Sequence, residues 1–407
     1  MATAAVLADL ADLANPETAR GVEQFGVDEF RRRLAAIAPS VRERAGEAEA
    51  NRRLLPETFA ELRDARLFRV AQPPMFGGVG LDIDQVYEIA FELGRADPST
   101  GWNGAFYALH NHQIGMLPRE TQEEYWASSY DVQMATASGV VRAAFEDKGD
   151  QVLVNGEWDF ASGVDYADWL QISRLTESGA QQLLLHRSQF EVIDNWRTAG
   201  ARATGSNRVR VTDALVPPHR QLDAQLMANG QTVGRTLHPS PYYKLPIFPW
   251  MGYVITMAIV GAAQGMVDLF AEQAVRRKEM TTGDLFVDRA ANQLRIAEAS
   301  AEVNAARQIH AGDVRLFHEW ADADYAPTML ERAAVRRNAA YCTKLCLNAA
   351  YRLFELGGAS AIYDHNPLQR YYRDISVMAH SIAVVWDPIA EQYSRVLWNL
   401  PPKSYNL

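Results

Sequence analysis

The segment most informative about the fold is Val152-Leu153-Val154-Asn155-Gly156-Glu157-Trp158-Asp159-Phe160, near the middle of the chain. Apolar residues flank the pair Asn155-Gly156. An Asn-Gly pair is the strongest short signal for a hairpin, because both residues tolerate a positive φ. We therefore predict two strands that turn at this pair. Ser162 and Gly163 follow where the second strand ends.

The residues after this segment favour more short strands. We predict them at 170–173, 182–186, 190–193 and 208–211. Short strands at near-regular spacing are typical of a barrel or sandwich of about 100 residues. We accordingly expect a small β-barrel domain over residues 134–235.

Both flanks of this β-segment have helical patterns. Near the N-terminus, Phe30, Leu34, Ile37 and Val41 recur at three- or four-residue spacing, which is one face of a helix. After Pro246 we predict helices at 252–278, 284–320, 329–356, 375–386 and 389–399. Long helices in series are typical of a bundle. The predicted fold is mainly α with a central β-domain: a helical domain (1–133), the barrel (134–235) and a helical bundle (236–407).

Composition narrows the classes of partner and the compartment. The chain has 407 residues and a net charge of −10, which argues against nucleic acid or an anionic membrane as the main partner. The first residues lack a signal-peptide pattern. Cys342 and Cys346 share a predicted helix face, as small buried thiols do in a reducing compartment. We expect a cytoplasmic protein. Residues 252–266 are apolar but shorter than the about 20 residues of a membrane span, so we predict a buried helix there.

Nucleotide-binding signatures are missing from the sequence. No strand precedes a G-x-G-x-x-G turn, and no G-x-x-x-x-G-K-[ST] loop occurs. Nucleotide binding by those two routes is therefore not expected.

The order helices, small β-domain, helical bundle resembles the acyl-CoA dehydrogenase family. Phe76-Gly77-Gly78-Val79-Gly80 is similar to that family's early glycine loop, and residues 155–163 to its central hairpin. Leu356-Gly357-Gly358-Ala359-Ser360 resembles its glycine pair near the flavin phosphates of a neighbouring subunit. Arg370-Tyr371-Tyr372-Arg373-Asp374 resembles its R-x-x-R-D motif. The resemblance covers nearly all of the chain after about residue 25 and implies the acyl-CoA dehydrogenase-like fold with a four-helix bundle.

Three motifs resemble one branch, the two-component flavin monooxygenases such as the oxygenase components for p-hydroxyphenylacetate and phenolic seco-steroids. They are Ser99-Thr100-Gly101-Trp102, Leu109-His110-Asn111 and the hairpin end around Ser162. Many acyl-CoA dehydrogenases have a glutamate base soon after R-x-x-R-D. Here His380 stands about where that glutamate would be, and this difference favours the monooxygenases.

The resemblance implies a particular chemistry. A separate NAD(P)H-dependent reductase supplies reduced FMN or FAD, O2 adds at the flavin C4a carbon, and the hydroperoxide hydroxylates an aromatic or polycyclic substrate. The cofactor performs the oxygen chemistry, while the protein positions it and excludes water. The resemblance also implies a homotetramer.

Three residues are predicted to be catalytic. By resemblance, the Ser162 hydroxyl accepts a hydrogen bond from flavin N5–H; the alternative is an ordinary turn. His380 could take a phenol proton or bond the hydroperoxide, since imidazole titrates near neutrality. His110 matches the family's His-Asn pair. The alternative for His380 is a core histidine satisfied by the backbone.

Further residues are predicted to contact the flavin or the substrate. The flavin contacts are Trp158, Ser138, Ser162, Thr204, Ser206, Gly357, Gly358 and Ser360. The substrate contacts are His112, Trp102, Tyr242, Tyr243 and Phe248. Core packing is the alternative for the tryptophans, and a plain turn or a helix cap for the small residues. No spacing of ligands indicates a metal site.

Two other functions stay open from the sequence. One is an acyl-CoA dehydrogenase or a related flavin dehydratase. The other is a non-catalytic helical protein that kept the fold. Ser162, His110 and His380 together argue against the second, since a non-catalytic protein has no reason to keep them.

Overall fold

A computed structural model describes residues 24–177, 179–279 and 282–403. Its N-terminal helices are α1 (Val27–Asn51), α2 (Pro56–Asp64), α3 (Ile83–Ala96), α4 (Pro98–Ile114) and α5 (Arg119–Trp126). Helix α1 buries the stripe predicted from its spacing, from Phe30 to Val41. Asp97 separates α3 from α4 and caps α4, because the Thr100 N–H donates to its side chain at 2.9 Å.

The middle of the chain forms two four-stranded sheets. The strands are β1 (Met134–Thr136), β2 (Gly139–Lys148), β3 (Gln151–Ala161), β4 (Trp169–Thr176), β5 (Gly179–His186), β6 (Phe190–Ile193), β7 (Asn207–Val216) and β8 (Gln221–Asp223). One sheet has the order β1-β4-β5-β8 and the other β2-β3-β7-β6. A separate apolar core, with Trp158 fully buried, fills the space between them.

The predicted turn at Asn155-Gly156 is wrong, because β3 runs through both residues. The β2–β3 hairpin turns instead at Gly149 and Asp150. The register against β7 shifts between Val154 and Gly156, so Asn155 lies at a bulge.

Side-chain contacts explain why this pair suits a bulge. Asn155 Nδ2 donates to Asp213 Oδ1 at 3.0 Å, and the Asp213 N–H donates back at 2.8 Å. A Cβ on Gly156 would lie 2.5 Å from the Arg142 carbonyl oxygen and 2.7 Å from the Trp158 ring. Glycine is therefore required here by close packing rather than by a turn.

The C-terminal part is helical. Two short helices, α6 (Ala224–Ala228) and α7 (Gly234–Leu237), precede α8 (Ile247–Ala274), α9 (Ala290–Asp322), α10 (Met329–Gly357), α11 (Pro367–Met378) and α12 (Trp386–Leu397). The predicted helix at 375–386 is wrong, since α11 ends at Met378 and His380 lies in the following turn. Pro388 falls in the first turn of α12, where its missing N–H costs no hydrogen bond.

Helix α8 is the apolar helix predicted to be buried. Among the described residues it alone is long and apolar enough to cross a membrane, but 78% of its most apolar stretch is buried inside the protein. It packs closely on α3: a Cβ on Gly261 would lie 2.1 Å from the Phe91 carbonyl oxygen. Helix α8 is therefore the central helix of the core.

Candidate active site

The end of strand β3 is fixed by close contacts with α4 and with the loop before β7. Phe160 and Gly163 have positive φ angles of 66° and 71°. The Tyr107 hydroxyl donates to the Gly163 carbonyl at 2.6 Å, and a Cβ on Gly163 would lie 2.5 Å from that hydroxyl oxygen. The Gly163 N–H donates to the Thr204 carbonyl at 2.9 Å. Ser162 is thereby held between two rigid elements.

Four predicted site residues meet at this point. Trp102 Nε1–H donates to Ser162 Oγ at 3.1 Å. Ser162 Oγ lies 2.7 Å from Ser206 Oγ, which lies 2.7 Å from Thr204 Oγ1. The structure thus joins Ser162, just after β3, to the 202–206 loop by a chain of hydroxyl groups, which we call the hydroxyl relay (Ser162, Ser206 and Thr204).

Aromatic rings line the α4 side of the relay. The Phe106 ring lies 5.4 Å from Trp102 and 5.3 Å from His110, centroid to centroid. On the strand side, Phe160 is 56% exposed, and its ring is so close to Gly139 that a Cβ there would lie 2.6 Å away. The predicted contact Ser138 precedes Gly139 and is exposed. The exposed side chains of Ser138 and Phe160 and the half-buried ring of Phe106 therefore form an open, partly aromatic surface beside Ser162, which we call the ledge.

His110 is engaged at both ring nitrogens. Nδ1 lies 2.6 Å from the Met134 carbonyl, which can only accept, so Nδ1 carries the proton. Nε2 then accepts from the Thr136 hydroxyl at 3.2 Å. Burial lowers the pKa of His110 to about 4, which keeps the ring neutral. In this geometry His110 ties α4 to β1. Its predicted catalytic role stays a prediction.

His380 has the opposite character. It is exposed, and its Nδ1 lies 2.7 Å from the Ser376 carbonyl oxygen. Nδ1 therefore carries the proton of the neutral ring, and Nε2 keeps its lone pair. No hydrogen bond joins His380 to Ser162 in the part of the chain that the structure describes.

An indirect connection exists through the preceding helix. The Asp374 side chain accepts from the Ala201 N–H at 2.6 Å, and the Ala201 carbonyl accepts from Thr204 Oγ1 at 2.7 Å. Asp374 is 2% exposed, and burial, with the Asp97 charge second, raises its pKa to about 8. Asp374 lies in the R-x-x-R-D motif, but the sequence did not assign it a role.

Several predicted contacts are core residues. Trp158 is 0% exposed inside the β-domain and has no surface on which a flavin could lie. His112 is 0% exposed and stacks on Tyr243 at 3.9 Å. Tyr242 is also buried, and its hydroxyl donates to Asp84 at 2.6 Å. Trp158 is therefore corrected to a core residue of the β-domain. His112, Tyr242 and Tyr243 pack in the helical core, and their predicted contacts with a substrate stay predictions. Phe248 is partly buried against the same core.

The predicted phosphate-contacting residues lie at the end of α10. Gly358 is exposed with φ 60°, and Ser360 Oγ donates to the Gly357 carbonyl at 3.1 Å. Arg277 Nη1 donates to the Leu356 carbonyl at 3.0 Å, and its Nη2 would lie 3.3 Å from a Cβ on Gly358. A guanidinium beside an open glycine backbone is a donor set that suits a phosphate. No motif in the sequence pointed to Arg277.

The fold and the site define the class of protein as an acyl-CoA dehydrogenase-fold flavoprotein, and comparisons with known proteins agree. The family described as "Acyl-CoA dehydrogenase, C-terminal domain" matches residues 253–385. The oxygenase subunit HsaA of a flavin-dependent monooxygenase from Rhodococcus jostii (strain RHA1) is 31% identical over 348 residues, covering 84% of this chain and 91% of that protein. The oxygenase component of an FADH(2)-dependent resorcinol hydroxylase from Rhizobium sp. (strain MTP-10005) is 27% identical over 386 residues, covering 91% and 94%.

The fold of this chain also agrees with that of a solved structure over most of both chains. The crystal structure of 3-HSA hydroxylase from Rhodococcus sp. RHA1 has a TM-score of 0.87 and 28% identity, covering 93% of this chain and 99% of that one. The chain belongs to the family of flavin-dependent monooxygenase oxygenase subunits. The monooxygenase interpretation of the sequence is confirmed.

Proposed function

We propose that this protein is the oxygenase component of a two-component flavin monooxygenase, which uses reduced flavin and O2 to hydroxylate an aromatic or polycyclic substrate. The single observation that carries the proposal is the hydroxyl relay at the end of β3, open to a partly aromatic ledge. The named relatives, one an FADH(2)-dependent hydroxylase, support the use of reduced flavin, either FMN or FAD.

The chain's residues fit a flavin at two places. Ser162 and its neighbours offer hydrogen-bonding groups for the polar edge of the isoalloxazine, and Trp102 and Phe106 offer apolar surface beside it. Gly357, Gly358, Ser360 and Arg277 offer backbone and guanidinium donors for phosphate. When bound, the flavin would supply the oxygen transfer, which no side chain can perform.

His380 is proposed to act on the substrate. Its Nε2 lone pair is available because Nδ1 donates to the Ser376 carbonyl. A phenol that loses its proton to Nε2 gains electron density on the ring, which favours attack by an electrophilic oxygen. Ser376 fixes the tautomer that this role requires.

The compartment, the reductase partner and the oligomeric state are proposed from the same family. We propose that it is a soluble, cytoplasmic protein that receives reduced flavin from a separate NAD(P)H-dependent reductase. We also propose a homotetramer, since exposed apolar side chains lie on α9 and α10: Leu294, Tyr341 and Tyr351 are 66%, 42% and 55% exposed. Analytical ultracentrifugation that finds a monomer would contradict the tetramer.

Stopped-flow oxidation of bound flavin tests the proposal. Protein in excess is mixed anaerobically with reduced FMN or reduced FAD, and then with O2. Flavin reoxidation should be slower than for the free flavin, and Ser162→Ala should reoxidise it faster than the wild type does. With 18O2 and resorcinol as a phenolic probe, 18O should enter the product. Reoxidation at the free-flavin rate for both flavins would overturn the proposal.

A further inference from the structure

The hydroxyl relay contains three short contacts and three protons. The contacts are Ser162 Oγ to Ser206 Oγ, Ser206 Oγ to Thr204 Oγ1, and Thr204 Oγ1 to the Ala201 carbonyl oxygen, each 2.7 Å. At that separation each oxygen pair needs one proton between its members. Each hydroxyl has one proton to donate.

Only one arrangement of protons satisfies all three contacts. The Ala201 carbonyl has no proton, so Thr204 must donate to it. Ser206 must then donate to Thr204, and Ser162 must donate to Ser206. The reverse direction would leave two oxygen lone pairs facing each other 2.7 Å apart at the Ala201 carbonyl. The relay therefore has a fixed polarity, set at its Ala201 end.

The indole of Trp102 completes the constraint on Ser162. Its Nε1–H donates to Ser162 Oγ at 3.1 Å and occupies one of the two lone pairs. The proton of Ser162 is committed to Ser206. What Ser162 can offer to a ligand is the remaining lone pair alone.

We infer that the hydroxyl relay makes Ser162 an obligate acceptor, and that this selects reduced over oxidised flavin. The inference rests on the proposed function, which sets flavin N5 beside Ser162. Reduced flavin carries a hydrogen on N5 and satisfies the acceptor. Oxidised flavin has a lone pair at N5, which would face the lone pair of Ser162 and leave both acceptors unpaired. Thr204 and Ser206 are thus specificity-determining residues that act through Ser162.

The polarity is anchored by groups away from the ledge. The Ala201 backbone is held by its N–H bond to Asp374 at 2.6 Å, and its carbonyl also accepts from Trp196 Nε1 at 3.0 Å. The Thr204 carbonyl accepts from Asn103 Nδ2 at 3.1 Å. These bonds keep Ala201 and Thr204 in place, so the relay cannot reverse by a shift of its loop.

Flavin binding measures the selectivity directly. Dissociation constants for oxidised and reduced FMN are determined, the reduced form under anaerobic conditions. The wild type should bind reduced FMN more tightly. Ser206→Ala frees the Ser162 proton for donation, so the ratio of the oxidised to the reduced constant should fall about tenfold. Most of that change should be tighter binding of oxidised FMN.

Thr204 offers a matched pair of variants. Thr204→Val is close in shape and removes the hydroxyl, so the relay loses its fixed direction and the ratio should fall. Thr204→Ser keeps the hydroxyl and should keep the wild-type ratio. Wild-type ratios in both Ser206→Ala and Thr204→Val would overturn the inference.

Neutron diffraction of the deuterated wild type gives a test that needs no variant. Deuterium on Ser162 Oγ that points to Ser206 supports the relay polarity, and deuterium on Ser206 that points to Ser162 overturns it. If the wild type binds neither form of flavin, the proposed function fails. If it prefers reduced FMN but the diffraction shows the reverse polarity, only the relay inference fails.

Discussion

The side chain of Asp374 accepts a hydrogen bond from the Ala201 backbone N–H at 2.6 Å. This bond joins α11, which leads to His380, to the loop that carries Thr204 and Ser206. Ala201 has a positive φ of 52°, so the bond also holds a backbone conformation that alanine seldom adopts. This buried contact therefore helps to position the two sides of the candidate site.

Asp374→Asn tests the protonation state of this contact. Burial raises the pKa of Asp374 to about 8, well above the about 3.9 of an unfolded chain. The folded carboxyl thus keeps a proton that the unfolded one releases, so stability falls as the pH rises from about 4 to about 8. Asparagine keeps the acceptor and cannot ionise. We expect the variant's melting temperature to fall less than that of the wild type between pH 5 and pH 9.

Asp374→Ala is the matched control for that experiment. It removes the acceptor and leaves the Ala201 N–H unpaired in the interior, which costs about 1–3 kcal/mol. Its melting temperature should therefore be lower than that of Asp374→Asn at every pH. Equal melting temperatures for the two variants would show that the hydrogen bond contributes nothing.

His380→Ala tests the proposed base. Loss of a general base costs typically about 10²–10⁴-fold in rate, so we expect hydroxylation to fall at least 100-fold. Binding of reduced flavin should persist, and hydrogen peroxide should replace product. Product and peroxide are quantified together. His365→Ala removes another exposed histidine and should behave like the wild type; an unchanged product yield in His380→Ala would make that histidine a surface residue only.

Acid should destabilise the protein through its buried histidines. Burial lowers the pKa of His110 to about 4, of His112 to about 3 and of His238 to about 4. These folded values lie below the about 6.5 of the unfolded chain. The contribution of these groups to stability is therefore complete above pH 6.5 and is lost as the pH falls towards 4. Melting temperatures between pH 7.5 and pH 4.5 measure this loss.

His112→Phe should reduce that acid sensitivity. The ring of His112 stacks on Tyr243 at 3.9 Å, and phenylalanine can keep this contact without accepting a proton. The decrease in melting temperature from pH 7 to pH 5 should be smaller than in the wild type. His365→Phe, at an exposed position, should retain the wild-type decrease. A full wild-type decrease in His112→Phe would show that His112 does not contribute to the acid sensitivity.

Two glycines of α8 provide a packing test within one helix. A Cβ on Gly261 would lie 2.1 Å from the Phe91 carbonyl oxygen, whereas a Cβ on Gly252 would find its nearest neighbour at 3.8 Å. Gly261→Ala should lower the free energy of unfolding by about 3 kcal/mol through overpacking. Gly252→Ala should raise it by up to about 1 kcal/mol through helix propensity. Urea denaturation compares them, and equal effects would refute close contact between α3 and α8.

Much of the fold could be predicted because its signals are local. The α1 stripe from Phe30 to Val41 is buried as its spacing indicated, and strand β6 has the predicted bounds, Phe190–Ile193. The third bundle helix, predicted at 329–356, is Met329–Gly357. Its cap, in which the Thr328 and Glu331 side chains bond each other's backbone, is a sequence signature.

Two local signals pointed the wrong way because distant contacts outweigh them. Asn155-Gly156 satisfies every requirement of a turn, yet pairing with β7 and the Asp213 side chain hold it in a bulge. Helical spacing continued past Met378, yet α11 ends there, and Pro388 suits the first turn of the next helix. The local pattern around Asn155 does not show its contact with Asp213, and the pattern past Met378 does not show that α12 starts at Trp386.

For the site, the sequence determined which groups are available: Ser162, Thr204, Ser206, Trp102 and His380. Only the tertiary structure decided what each can do. Burial makes His112 and Trp158 core residues, and hydrogen bonds at both ring nitrogens make His110 a link between α4 and β1. The direction of a hydrogen bond depends on whether its neighbour has a proton to give, so a carbonyl at Ala201 determines what Ser162 offers. That relation arises between segments that are far apart in the chain, and residue types alone cannot encode it.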